Sequence, residues 1–119
     1  MRRGEIWIAR LNPNQGAEAG KLRPVIILQD DALLASELPT VIVIPLTTQF
    51  RPAFEPLRLR IAARDRLLKD SYAMVEQPRA LDRSRFGDGP LTTLSPEEMA
   101  AVEKSLKAVL GIAETAYLQ

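Results

Sequence analysis

The 119-residue chain contains no cysteine and no histidine. The first absence excludes disulfides, a thiol nucleophile and thiolate-held zinc or iron–sulfur centres. The second excludes a Ser-His-Asp triad and a pair of histidines for acid–base work. Catalysis would fall to Arg, Lys, Glu, Asp, Ser, Thr or Tyr. Long apolar runs are also missing. After Arg2, Arg3 and Glu5, the run Ile6–Ala9 is too short for the core of a secretion signal, and no stretch approaches the roughly 18 apolar residues of a membrane span. A cytoplasmic protein with no membrane partner is the expectation. Charge of one sign is not in excess: 16 Lys and Arg face 15 Asp and Glu, for a net of +1. That excludes a grossly basic nucleic-acid coat and a strongly acidic chain, but not a local basic face. With 46% hydrophobic and 26% charged residues, the composition is that of a globular protein rather than a disordered one. The length suits a single domain over residues 1–119.

The chain reads as short strands broken by turns. Glu5 to Leu11 is predicted as a strand, ended by Asn12-Pro13-Asn14-Gln15-Gly16. Residues 16 to 22 form an exposed loop. Pro24 to Leu28 is a second strand, with Pro24 at its start, where a missing N–H does least harm. Ala32 to Ala35 suits a helical turn. Val41-Ile42-Val43-Ile44 is apolar at every position and reads as a central strand buried on both faces, with Pro45 at its end or at a bulge. Thr47 to Pro56 is a second loop. Leu57, Leu59 and Ile61 alternate with Arg58 and Arg60, which puts the leucines in the core and both arginines in water. Ala62 to Lys69 fits no single pattern. Ser71 to Glu76 is a further strand, Asp82 to Phe86 a helical turn and Gly87-Asp88-Gly89-Pro90 a tight turn.

The last element carries the strongest local signal. Ser95 is placed as an N-cap, Pro96 at the first helical position and Glu98 as the return arm of a capping box. Met99, Val102, Leu106, Val109 and Leu110 recur at helical spacing, Glu103 and Lys107 are four apart, and Gly111 marks the end. Five or six short strands followed by one helix predict a mainly β fold, a small barrel or twisted antiparallel sheet capped by a C-terminal helix.

Charge divides unevenly along this frame. Residues 1–95 hold 14 Lys and Arg against 11 Asp and Glu, whereas residues 96–119 hold 2 against 4. A solvated surface accounts for this as well as a binding face does. Two loops carry more specific chemistry. One holds Glu18 and Lys21 and runs into Arg23, whose guanidinium is either a donor fork for phosphate or half of a structural ion pair with an acidic neighbour such as Glu18. Composition alone favours the ion pair. The other opens with Thr47-Thr48-Gln49, neutral hydrogen-bonding groups that suit either a site or plain turn chemistry.

The sequence also resembles a known family. Gly4-Glu5-Ile6-Trp7 with Leu11-Asn12-Pro13, the segment Gly16-Ala17-Glu18-Ala19-Gly20-Lys21-Leu22-Arg23-Pro24-Val25, the strand Val43-Ile44-Pro45-Leu46-Thr47-Thr48-Gln49, and Val75-Glu76-Gln77-Pro78-Arg79-Ala80-Leu81-Asp82-Arg83-Ser84-Arg85 follow in order. Together they resemble the MazF/PemK toxins, the endoribonucleases of type II toxin–antitoxin pairs. Ala17 stands where that family usually has Ser, and Pro78 where Ile or Val is usual.

The resemblance implies an SH3-like barrel of the CcdB/PemK toxin type that works as a homodimer. It implies a sequence-selective endoribonuclease, with no metal and no cofactor, that cuts single-stranded RNA through its own 2′-hydroxyl. Carried over by position, Arg23, Thr47 and Glu18 match catalytic residues. Lys21, Thr48, Gln49, Gln77, Arg79, Arg83 and Arg85 become RNA-binding candidates, and Phe50 or Phe54 would either stack on a base or pack the barrel end. A small acidic antitoxin is the implied partner. The alternative is a non-catalytic module on the same fold, either a gyrase poison or an antitoxin binder.

Overall fold

The computed structural model describes residues 1–55 and 57–113. Pro56, the last residue of the expected second loop, lies outside them. Among the described residues seven strands form: β1 (Glu5–Arg10), β2 (Leu22–Ile27), β3 (Thr40–Thr47), β4 (Arg58–Ile61), β5 (Ser71–Met74), β6 (Arg79–Asp82) and β7 (Thr92–Thr93). A one-turn helix α1 (Asp31–Leu34) follows β2, and helix α2 (Pro96–Leu110) closes the described chain. The strands pair antiparallel in the order β4-β5-β3-β2-β1-β7, with β6 alongside β3.

β3 organises the sheet because it changes partners along its length. Thr40 to Val43 pair with β6 and Val43 to Pro45 with β2, while Leu46 and Thr47 pair with β5. Pro45 sits inside the strand, buried opposite Val25, where the ladder passes from one set of neighbours to the next. The alternation of side chains then builds two cores. Ile26, Ile44 and Leu46 pack with Ile6, Ile61, Val75, Met99 and Val102. Val25, Ile27, Val41 and Val43 pack on the other face with Leu11, Met74 and Leu81. A strand buried on both faces needs apolar residues at successive positions, so β2 and β3 read as unbroken runs. Ile42 departs from that reading: it is 44% exposed, opposite Ala80, which is also exposed, where β3 pairs with β6.

Two further expectations are corrected. Among the described residues the strand count is seven rather than five or six, with β6 and β7 beyond the expected strands. And Arg58 is not in water: it is buried at 9% exposure, while Leu59 is only half-buried. An arginine enters a core only with a partner, and this one pairs with Glu76.

The helical features follow local chemistry. Ser95 Oγ accepts from the Glu98 N–H at 3.1 Å, and Glu98 returns a carboxylate oxygen to the Ser95 N–H at 2.8 Å. Gly111 ends α2 in the left-handed region at φ 72°, which a side chain disfavours. Met99 and Val102 are buried and Leu106 half-buried, but Val109 and Leu110 are 36% and 56% exposed. Glu103 reaches Arg3 at 3.2 Å and Glu98 pairs with Arg64 at 2.5 Å, fastening α2 to the sheet. The expected turn at Asp82 to Phe86 is a 3₁₀ turn over Arg83–Arg85, with Asp82 as its N-cap. No helix among the described residues is long and apolar enough to cross a membrane.

Candidate active-site groove

The antiparallel register of β2 and β3 sets Val25 opposite Pro45. Two residues back along β2 and two forward along β3 stand Arg23 and Thr47, so the two sequence motifs meet at one end of the ladder. Both side chains line a cavity of about 890 Å³. Glu18 and its neighbours Ala17 and Ala19 form one rim, Gln49, Arg51 and Phe54 another, and Arg58, Glu76, Gln77 and Arg79 the remaining wall.

The loop between β1 and β2 is held by its own side chains. Asn12 accepts from the Lys21 N–H at 2.9 Å, and Asn14 donates to the Glu18 carbonyl at 3.2 Å. A Cβ at Gly20 would run into the side-chain amides of both asparagines and would have to displace them. Glu18 accepts the Gln15 N–H on Oε1 at 2.6 Å, which fixes its carboxylate at the groove rim with Oε2 uncommitted among the described residues. Gln77 ties the loop to the opposite wall: it accepts from the Ala19 N–H at 2.7 Å and donates to the Ala17 carbonyl at 3.3 Å.

Arg23 is not the ion pair that composition favoured. It donates Nε–H to the Gly20 carbonyl at 2.8 Å, and among the described residues its two terminal nitrogens have no partner. That single bond aims the guanidinium and leaves a donor fork open towards the cavity. Thr47 Oγ1 accepts the Gln49 N–H at 3.2 Å, so its hydroxyl makes turn chemistry and faces the groove together. Arg51 donates to Gln49 at 3.0 Å.

Of the residues expected to bind RNA, Gln49, Gln77 and Arg79 line this cavity. Arg79 also donates to the Leu11 and Ala19 carbonyls at 3.3 and 3.4 Å. Four residues are placed elsewhere. Thr48 lines a smaller, separate hollow with Pro24 and Ser71. Lys21 is exposed at φ 67° and is not part of the lining. Arg83 donates to the carbonyls of Leu38, Leu34 and Ser36, closing the C-terminal end of α1. Arg85 donates to the carbonyls of Arg10 and Asn12. Phe50 packs on Tyr72, with ring centroids 5.1 Å apart, whereas Phe54 lies at the groove with its ring 4.8 Å from Arg58 Cζ.

Arg58 and Glu76 were not singled out as site residues. The available signal was the pairing of β4 with β5, where Arg58 stands opposite Met74, two positions before Glu76. Burial acts to raise the Glu76 carboxyl, but the hydrogen bond and charge of Arg58 and its own backbone N–H outweigh it and hold the group below the usual carboxylate range.

The fold recurs among solved toxins. MazF from Deinococcus radiodurans matches with a TM-score of 0.80 at 22% identity, over 93% of this chain and 96% of that one. An endoribonuclease from a mycobacterial species, solved with its cognate antitoxin, matches with a TM-score of 0.75 at 21% identity, over 96% and 98%. The β-barrel with its C-terminal helix is therefore the CcdB/PemK toxin fold. Residues 2–110 match the model of the PemK-like, MazF-like toxins of type II toxin–antitoxin systems. The chain is also 39% identical over 113 residues to a protein named endoribonuclease MazF from Staphylococcus saprophyticus, spanning 94% of this chain and 92% of that protein. The chain belongs to the PemK-like, MazF-like toxin family.

Proposed function

We propose that this toxin is an endoribonuclease that cleaves single-stranded RNA at the Arg23–Thr47 groove, without a metal. The observation that carries the reading is the pair of open terminal nitrogens of Arg23 in the same cavity as the Thr47 hydroxyl. In such a reaction the ribose 2′-oxygen attacks phosphorus and the bond to the 5′-oxygen breaks. The products are a 2′,3′-cyclic phosphate, which opens to a 3′-phosphate, and a 5′-hydroxyl. Negative charge grows on the non-bridging oxygens and the leaving oxygen. Arg23 stabilises that charge and Thr47 donates a hydrogen bond to it. Glu18 Oε2 accepts the 2′-hydroxyl proton at the rim, and the leaving oxygen takes a proton from water. Arginine remains charged throughout, so Arg23 acts by electrostatics rather than as an acid.

A mixed RNA incubated in EDTA tests this. Cleavage should persist, and a single 2′-deoxy substitution at the cut should abolish it. Cleavage of the deoxy-substituted strand at an equal rate would overturn the mechanism.

The same groove suits control by a partner. Solved relatives include MazE–MazF complexes from Deinococcus radiodurans. An acidic antitoxin segment lying over Arg23, Arg51 and Arg79 would compete with RNA phosphates and bind less tightly as salt rises. The exposed Val109 and Leu110 of α2 offer an apolar edge for a two-fold dimer. Sedimentation at micromolar concentration should give a dimer; a monomer would overturn that assembly.

A further inference from the structure

The groove contains a carboxylate that phosphate binding does not explain. Glu76 shares its wall with Arg23, Arg51 and Arg79. A carboxylate among RNA phosphates repels them, so its presence weakens binding unless it meets hydrogen-bond donors. It is not a loose surface group. Arg58 donates Nη1–H to Glu76 Oε1, and the side chain of Arg58 is only 6% exposed. Arg58 Nε is buried with no hydrogen-bond partner among the described residues, and the Phe54 ring covers the guanidinium at 4.8 Å. Arg58 is thus screened from a polyanion, and its charge is directed at Glu76. On the other oxygen, Gln77 Nε2 stands at 3.5 Å, the outer limit of a hydrogen bond. Both carboxylate oxygens keep lone pairs for a ligand.

We propose that Glu76 reads a guanine base of the RNA, accepting its N1–H and N2–H on the two carboxylate oxygens, with Arg58 as the positioning residue that orients the carboxylate. This inference rests on the groove being the RNA site. Among the four common bases only guanine presents two adjacent N–H donors on one edge. Adenine and cytosine place a ring-nitrogen lone pair beside their amino donor, and uracil flanks its N3–H with two carbonyls. Each of these would set a lone pair against a carboxylate oxygen. A good bidentate contact discriminates by about 5- to 150-fold. Glu76 therefore contributes sequence choice, while Arg23 and Thr47 act on the phosphate that every sequence shares.

The test uses the full chain and a cleaved oligonucleotide found from mixed RNA. Each guanosine around the cut is replaced in turn by inosine, which lacks the N2 amino group. Cleavage efficiency is read on the RNA, and Kd on an uncleavable 2′-O-methyl version. One position should show a loss of about fivefold or more in both readouts. Glu76→Gln should bring the guanosine-to-inosine ratio at that position close to one. Arg58→Lys, which keeps the charge and loses the planar fork, should lower the ratio part of the way. Thermal melting checks the fold, and Glu76→Asp, which shortens the carboxylate, should also lower the ratio if Glu76→Gln does not fold. Wild-type protein with no guanine requirement, or a folded Glu76→Gln variant with an unchanged ratio, would overturn the inference. If no RNA in the mixture is cut, guanosine-dependent binding of 2′-O-methyl oligonucleotides would overturn the nuclease reading alone. Cleavage without guanine dependence would overturn the base reading alone.

Discussion

Two sets of arginines occupy this small barrel, and they differ in what their guanidinium groups hold. Arg83 and Arg85, on the 3₁₀ turn after β6, are occupied by backbone carbonyls: Leu34, Ser36 and Leu38 for the first, Arg10 and Asn12 for the second. Arg23, at the start of β2, spends only Nε on the Gly20 carbonyl and keeps its terminal nitrogens free of described partners. Both sets sit in segments that resemble the toxin family's motifs. Position in a motif and positive charge therefore do not separate a ligand-binding arginine from a structural one. Placement and hydrogen-bond occupancy together do: Arg83 and Arg85 lie outside the groove lining, and a guanidinium nitrogen already spent on carbonyls must break those bonds before it meets a phosphate.

The largest expected effect falls on the open set. Arg23→Ala should lower RNA cleavage by at least about tenfold, the lower end for losing a transition-state charge contact, and Thr47→Ala by a similar factor. Neither should greatly shift the melting temperature, since the deleted groups support little of the fold. Full activity in a folded Arg23→Ala protein would break the comparison at once. The occupied set should respond in the opposite sense. Arg83→Ala leaves the carbonyls of Leu34 and Leu38 without their donor and should cost about 1–3 kcal/mol in denaturant unfolding, while the folded fraction still cleaves RNA.

Smaller effects sharpen the contrast between the groove and the fastened helix. Ser95→Ala removes half of the capping box and should cost about 1 kcal/mol of stability, with cleavage by the folded protein unchanged. Acid should loosen the same region. The hydrogen bond from Arg64, opposed by burial and aided by the Ser95 N–H, lowers the Glu98 carboxyl below its usual value. A carboxylate whose pKa is depressed on folding contributes stability that is fully present above its unfolded value of about 4.3 and is lost as pH falls through the lower folded value. The expected loss is on the order of 1 kcal/mol for this half-exposed pair. Unfolding midpoints between pH 6 and pH 3 read it, and in a Glu98→Gln variant this part of the pH dependence should disappear.

What the sequence revealed follows the distance over which each feature is encoded. The start of α2 was legible because Ser95, Pro96 and Glu98 lie within four residues and act on each other. β2 and β3 were legible because burial on both faces demands an unbroken apolar run. β7 has two residues and β6 a single buried side chain, Leu81, too little for a period to show. Arg58 was misplaced because alternation assigns a face without naming a partner; Glu76, which permits its burial, stands on the far side of a turn. The positions of Arg23, Thr47 and Glu18 came from the family resemblance. The resemblance could not say which arginines are already committed, since the carbonyls that hold Arg83 and Arg85 come from segments remote in the chain.

The most direct measurement is a backbone and arginine side-chain NMR titration of the protein with an uncleavable 2′-O-methyl single-stranded RNA. The groove account expects the strongest perturbations at Arg23, Thr47, Gln49 and Arg79, including the Arg23 guanidinium, with Arg83 and Arg85 little changed. Perturbations concentrated at Arg83 and Arg85, with Arg23 and Thr47 silent, would contradict it.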